Sequence, residues 1–524
     1  MEHQFTRLIR GRAFVFVLVF AWKTALFLVS SQPVPANDSF FYDGAVVNLL
    51  LHGKYVNPSL ALALPISSTQ VFSAYPPLYQ VLLLPWMAVC GTSVQSAMAF
   101  HLVWFGIFLL VLYATLRQLG LPRWGFHLAG LFLFAITFND RPDSVAQALG
   151  MMAILCWVRS AGFAGQAQPA RNPSGWLWLA AIFVVLVFAT SLQIGAIYLL
   201  LIWAGALAAW RTSREKLRIL PLLAMLAIPP FAIIFVARAC PHLWTGFLEH
   251  ARQTPSFTGL RVPTIEDVLK VGRNTPGVFA VTILLALSWR KVLGRGATSQ
   301  ARFVPVELAC AVAVLAVVAA SLFVLTANMV NAAIYLQPLL VGCCVAHLGS
   351  EAPDSRAERR LIPIFAALAL LASIRAIGMT TWGLACARDV GCTEALRRVD
   401  SELDATHAGQ TVVLSSAYLY EAARRSDIRW IHSDWLAPAR QANANADRDA
   451  LLALKPARLI LTQFDYYRRY EAVLASLNSQ SPPAKFEVSN LARVPAPDSI
   501  PSFRRVVQHI SWAPVIVRFD WTRN

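Results

Sequence analysis

Apolar residues recur in long blocks along this chain, separated by short polar breaks that carry mostly arginine. The first block, residues 13–31 (AFVFVLVFAWKTALFLVSS), follows Arg7, Arg10 and Arg12. It is too long for the core of a cleaved leader, and further blocks follow, so it is expected to be an uncleaved first membrane span. Lys23 within it either snorkels or faces protein. Further helices are expected near 97–116, 124–138, 144–159, 175–190, 192–210, 218–238, 276–290, 304–326, 331–348 and 361–380, about eleven crossings in all. Residues 78–90 (LYQVLLLPWMAVC) are apolar but only thirteen long and contain Pro85. That is too short to span, which points to a helix lying in the interface or turning back.

The arginine clusters provide an independent test. If 78–90 does not cross, Arg117 and Arg123, Arg159 and Arg171, Arg211, Arg214, Lys216 and Arg218, the 290–302 cluster and the 356–360 cluster all fall on the side of the N-terminus. The positive-inside rule then makes that side cytoplasmic. The opposite, external side receives a long first loop (32–96), the turn FNDRPDS (138–144), a middle loop (239–275) and everything after 380.

Fifteen of the 28 acidic residues follow position 380, where the long apolar blocks stop. Short β-branched runs, TVVLS (411–415), RLILT (458–462), RVVQHI (505–510) and PVIVRF (514–519), alternate there with helix-like stretches. The expected fold is therefore an α-helical integral membrane protein. Residues 1–380 form its membrane domain, with interfacial helices in the first external loop, and residues 381–524 form a soluble α/β domain. Cys386 and Cys392, at the start of that tail, are candidates for a disulfide in an oxidising compartment. No internal repeat is visible.

Composition agrees. Of 524 residues, 57% are hydrophobic and 14% charged, and the mean hydropathy is +0.54. A soluble globular protein carries about a quarter charged residues. The formal charge of +17 resides in the inter-span clusters, and no nucleic-acid-binding signature accompanies it.

Candidate chemistry lies on the external side. In NDSFFYDGAVVNLLLHGKY (37–55), Asp38 stands where a helix begins, so a capping role competes with a catalytic one. Asp43 is five residues on, about 140° around a helix, and does not share a face with it. A carboxylate at a membrane surface can deprotonate an acceptor or orient a metal. Arg141, between Asp140 and Asp143, suits a phosphate through its planar fork, or else pairs with its acidic neighbours. Asp143 is a substrate contact or the start of the fourth span. Lys54 meets a lipid phosphate or snorkels. Glu249 and His250 (FLEHARQ) are weak candidates for metal ligation or acceptor contact, and a solvated loop explains them as well. Around Pro76 and Pro77, which start a helix, Tyr75 and Tyr79 are expected to anchor that helix at the interface, with Tyr75 also a candidate substrate contact.

The order of these elements resembles the polytopic glycosyltransferases of the GT-C superfamily. The nearest likeness is to the protein mannosyltransferase and aminoarabinose transferase-like group (glycosyltransferase family 39 and relatives). The resemblance rests on NDSFFYDGAVVNLLLHGKY, the following FSAYPPLYQVLLLPWMAVCGTS, and LLALKPARLILTQFDYYRRYEAV in the tail. In that family an acidic residue, often an Asp-Glu pair, opens the first external loop. The first acid of the motif falls on Asp38, whereas Ser39 stands at the second position, which departs from metal binding through such a pair.

The resemblance implies transfer of a sugar from a polyprenyl-phosphate-linked donor to a protein, lipid or glycan acceptor, with inversion, on the periplasmic side of a bacterial inner membrane. Asp38 and Asp43 are the expected catalytic carboxylates, and Arg141 and Lys54 the donor-phosphate contacts. Asp143, Tyr75 and His250 are expected at the substrate. A divalent metal on Asp38 and Glu249 is the only cofactor implied. A lipid-linked sugar flippase is the rival reading, though the acids here sit at external helix ends rather than near mid-bilayer. The other rival is a non-catalytic assembly protein with the same body.

Overall fold

The computed structural model describes residues 11–35, 39–71, 76–136, 141–161, 173–213, 219–242, 356–386, 390–436, 444–479, 485–491 and 510–521, with 335–342 and scattered positions between 245 and 316. The expected helices at 276–290 and 304–326, and most of that at 331–348, lie outside the described residues.

The membrane part is a helix bundle. Its helices are α1 (Phe14–Ser30), α2 (Ser39–His52), α3 (Leu78–Cys90), α4 (Val94–Gln118), α5 (Arg123–Phe132), α6 (Asp143–Ser160), α7 (Pro173–Phe188), α8 (Leu192–Ser213), α9 (Ile219–Ala239) and α10 (Arg356–Cys386). Among the described residues, Val94–Gln118, Leu192–Trp210 and Ile219–Ala239 are long and apolar enough to cross a membrane. Phe14–Ser30, Leu78–Cys90, Pro173–Phe188 and Ala366–Trp382 are shorter apolar helices.

Burial on α1 follows the helical period: Val15, Phe16, Val19, Lys23 and Leu26 face the bundle, while Val17, Leu18, Phe20, Leu28 and Val29 are exposed. An apolar outer face of this kind suits lipid rather than water. Lys23 faces protein and donates to the Phe134 carbonyl at 3.2 Å. At the centre lies α6, buried along most of its length. It approaches α8 closely at Gly150, where an added Cβ would lie 2.2 Å from the Tyr198 ring. Small residues are what permit such contact between membrane helices.

Side-chain contacts fix which helix ends lie together. His101, in the second turn of α4, bonds Ser144 at the start of α6, and Tyr198, near the start of α8, bonds Gln147. The opposite end carries the basic residues, with Arg12 over the Phe126 ring and Arg159 over Trp176. The α3 helix stays at the first end. Its Leu78 N–H donates to the carbonyl of Ala189, just past α7, at 2.9 Å, and Trp86 donates to the Ser96 carbonyl at 2.8 Å. The Pro85 segment is thus tied at both ends to one end of the bundle, as its length required.

The tail begins after α10, which runs to Cys386, and continues through α11 (Cys392–Asp404), α12 (Ala444–Leu454) and α13 (Glu471–Asn478). Its five strands are β1 (Thr411–Leu414), β2 (Arg429–His432), β3 (Arg458–Leu461), β4 (Lys485–Asn490) and β5 (Val515–Asp520), arranged in the order β2-β1-β3-β5-β4. β2, β1 and β3 are parallel, and β5 and β4 are antiparallel. Three of the four anticipated runs are strands, and residues 505–509 of the fourth lie outside the described residues. β2 and β4 were not anticipated.

Alternation along the strands gives the sheet two dry faces. Val413, Leu459, Leu461 and Val517 pack with Tyr470, Leu474 and Leu477. Val412, Leu414, Ile460 and Ile516 join a core continuous with the bundle. The tail therefore sits on the bundle end where α1 finishes and α4 starts. Trp512 donates to the Ser30 carbonyl at 3.1 Å, and Gln32 donates to that of Ile510 at 2.5 Å.

The Cys386–Cys392 disulfide is not formed. Cys392 is a free, buried thiol turned into this junction, where its Sγ accepts from Gln95 Nε2 at 3.2 Å and burial pushes its pKa up to about 11.

Replacing Trp512 with Ala should loosen the junction. The expected cost is about 3–5 kcal/mol, read as a lower melting midpoint and faster proteolysis of the tail in the full-length protein. Unchanged proteolysis would contradict the docking.

Candidate active site

The first-loop helix α2 is gripped from three sides. Ser39 through Asn48 are buried along its length. From within the loop, Asn57 Nδ2 donates to the Phe40 carbonyl at 3.0 Å, and Asn57 is itself held by Ser59 and Ser67. The approach is so close that a Cβ at position 44 would lie 2.5 Å from Asn57 Nδ2, which explains the glycine in YDGA. From α3, Gln80 donates to the Tyr42 carbonyl at 2.8 Å. From the tail, Ser416 Oγ accepts from the Phe40 N–H at 2.8 Å and lies 2.9 Å from Ser39 Oγ, while His52 donates to the Ala423 carbonyl at 2.7 Å.

Asp43 stands at the centre, with no exposed surface. Tyr79 donates to its Oδ1 at 2.7 Å and Tyr420 to its Oδ2 at 2.6 Å. Tyr79 Oη is also 3.0 Å from His101 Nε2, and His101 Nδ1 is 2.7 Å from Ser144 Oγ. With Asp43 ionised, one proton order satisfies the chain: Ser144 donates to Nδ1, Nε2–H donates to Tyr79, and Tyr79 donates to the carboxylate. Burial pushes the Asp43 carboxyl up to about 7, and the hydrogen bonds from Tyr420 and Tyr79 oppose that rise.

Beside this chain, Arg141 Nη2 donates to Tyr42 Oη at 3.3 Å, and its guanidinium carbon lies 5.9 Å from the centre of that ring. Arg141 Nε lies 3.7 Å from Asp143 Oδ2. The guanidinium therefore bridges α2 and the first turn of α6, where Asp143 also meets the positive end of the helix dipole.

The structure brings Asp43, Arg141 and Asp143 to one corner. Lys54 is not part of it, being exposed past the far end of α2, about three turns from Asp43. Glu249 is half-buried. Asp38, Tyr75 and His250 lie outside the described residues. Tyr79 is a buried donor to Asp43 rather than an interfacial anchor. Among the described residues no group of three His, Cys, Asp or Glu side chains could hold a metal ion, and both Asp43 oxygens are occupied by hydroxyl donors.

Sequence reasoning missed Ser416, Tyr420, His101 and Ser144. The two tail residues lie more than 370 positions from their α2 partners, and no local pattern marks them. His101 and Ser144 read as polar residues within apolar helices, a signal for buried networks that the sequence does offer.

Two solved structures of ArnT from Cupriavidus metallidurans share this architecture. For the one bound to undecaprenyl phosphate, the alignment covers 98% of both chains at TM-score 0.50 and 13% identity. For the apo state it covers 96% of this chain and 97% of that one, at TM-score 0.51 and 13% identity. At 13% identity the likeness is one of fold, and it runs through both the bundle and the tail. No family model and no curated protein matches the sequence.

The geometry explains the small residue at position 39, since Ser39 is buried against Ser416. Ser39→Asp should bury a charge against a hydroxyl and cost about 3 kcal/mol, read by thermal unfolding. Asp43 adds a pH signature. An acid whose folded pKa is raised stabilises the fold fully below its unfolded value, near 3.8, and that contribution fades as pH rises to about 7. The stability of Asp43→Asn relative to wild type should therefore grow by about 1.4 kcal/mol per pH unit between pH 4 and 7, then level off. A pH-independent difference would refute the burial argument.

Proposed function

We propose that this protein is a membrane glycosyltransferase that takes a sugar from a polyprenyl-phosphate-linked donor and passes it to an acceptor on the external, periplasmic face of a bacterial inner membrane. The observation that carries the reading is the corner where α2, the start of α6 and the tail meet, in a fold shared with ArnT bound to undecaprenyl phosphate. A sugar carried on a polyprenyl phosphate cannot leave the bilayer, so its transfer belongs at a membrane surface with an external pocket.

In this reading Asp38, directly before buried Ser39, is the reacting carboxylate. The acceptor O–H or N–H attacks the anomeric carbon from the face opposite the lipid phosphate. As the new bond forms, the bond from carbon to phosphate oxygen breaks, and its electron pair leaves on the phosphate. The acceptor proton passes to Asp38, and configuration inverts. Arg141 offsets the charge growing on the phosphate through paired N–H donors, and Asp143 orients Arg141. Tyr75 and His250 are proposed sugar or acceptor contacts, and Lys54 is left to the headgroup region. Asp43, sealed from solvent with both oxygens bonded, positions the machinery and does not react.

Asp38→Asn should abolish transfer from an undecaprenyl-phosphate-linked sugar while the purified protein remains folded. Retained turnover would reject the assignment. Arg141→Ala should weaken undecaprenyl phosphate binding about 10-fold or more, measured on purified protein, whereas an unchanged affinity would remove Arg141 from the phosphate site.

A further inference from the structure

The tail's parallel strands run β2-β1-β3, so the chain leaves β1 for one neighbour and returns on its other side. In open α/β sheets the crevice beyond the carboxyl ends of strands at such a switch point is where ligands bind. Here that position faces the membrane domain. Ser415 and Ser416 directly follow β1, and Thr462 directly follows β3.

The edge is tightly built. The Thr462 N–H donates to Ser415 Oγ at 3.0 Å, and Ser415 donates to Asp465, which also receives Thr462 Oγ1 at 2.9 Å. Tyr418 donates to the Trp512 carbonyl at 2.8 Å. This fixes the turn that carries Ser416 and Tyr420. Ser416 accepts the Phe40 N–H, one of the amides a helix start leaves without an intrahelical partner. Tyr420, one helical turn on, donates to Asp43. Phe40 meets the Tyr420 and Trp430 rings edge-on at 4.9 and 5.8 Å, and Phe41 stacks on Trp435 at 4.8 Å. Ser39, Phe40, Asp43 and Tyr420 have no exposed surface, and Ser416 is 2% exposed.

We infer that the tail is a positioning part of the active site: Ser416 and Tyr420 clamp the first turn of α2 and so set the approach of Asp38 to the donor. This inference rests on the transferase reading. A capping hydroxyl and a carboxylate anchor, both supplied from across the domain junction, hold the helix start in rotation and along its axis. In the sequence Asp38 directly precedes the clamped turn. Slack in the clamp therefore becomes misalignment at the reacting carboxylate, and an error of about 1 Å in such geometry costs about 100-fold in rate. Ser416 and Tyr420 act through α2, so they are positioning residues.

The test uses full-length Tyr420→Phe, Ser416→Ala and the double variant in nanodiscs, each removing only a hydroxyl. Three readouts are compared: kcat with a panel of undecaprenyl-phosphate-linked sugars and an envelope extract as acceptor, affinity for undecaprenyl phosphate, and hydrogen exchange over 39–52. The double variant should lose about 10-fold or more in kcat and exchange faster over 39–52, with undecaprenyl phosphate affinity kept within about twofold. If wild type turns over and the double variant matches it, or if exchange over 39–52 is unchanged, the clamp is overturned and the transferase reading stands. If wild type transfers no sugar from the panel, the transferase reading falls and takes the clamp with it.

Discussion

A carboxylate shut away from water needs donors, and Asp43 takes one from each half of the molecule: Tyr79 from α3 and Tyr420 from the tail. That paired bond is the constraint on which the tail-bearing end of the protein depends. It lies on a helix too short to span and too buried to be a loop, and it joins an apolar bundle to an α/β domain. Without partners a buried carboxylate would cost several kcal/mol. With them it becomes a fixed point that aligns α2 with both bodies. The surrounding contacts act in the same direction: Asn57 below, Ser416 at the helix start and His52 at its end.

Polarity is graded along the bundle in a way that suits surface chemistry. Arginines gather at the end away from the tail, and the Asp43, Asp143 and Arg141 group gathers beneath it. The outer faces of α1 and α9 are apolar, with Phe231 and Phe235 of α9 70% and 71% exposed. Arg141 lies where α2 and α6 converge. The polar chain from Asp43 through His101 to Ser144 fixes α4 and α6 in the same frame, since a buried network with every member bonded is rigid.

Much of the fold was legible because its causes are local. Apolar block length marked α4, α8 and α9, and thirteen residues with Pro85 suited α3 to a place at one end of the bundle. Three strands of the tail could be read from β-branched runs. β2 (RWIH) and β4 (KFEVSN) escaped because each is short and carries polar or charged residues among its apolar ones. The pairing of Arg141 with Asp143 was readable from neighbouring charges in one turn. Asp43 stands out in the sequence as an acid in the first loop, but its bond to Tyr420, 377 residues away, does not. Cys392 followed the same logic: spacing suggested a bridge to Cys386, but the junction with Gln95 claimed the thiol. Contacts across that distance arise from docking, and docking leaves little trace in a single sequence.

The direct test of the central claim is a cross-link at the junction, with cysteines placed at Ser39 and Ser416, whose hydroxyl oxygens lie 2.9 Å apart. In intact membranes the pair should join rapidly under mild oxidation and halt unfolding of the tail from the bundle, while either single cysteine forms no internal bridge. A pair that stays reduced, or a tail that labels from the compartment opposite α2, would contradict the account.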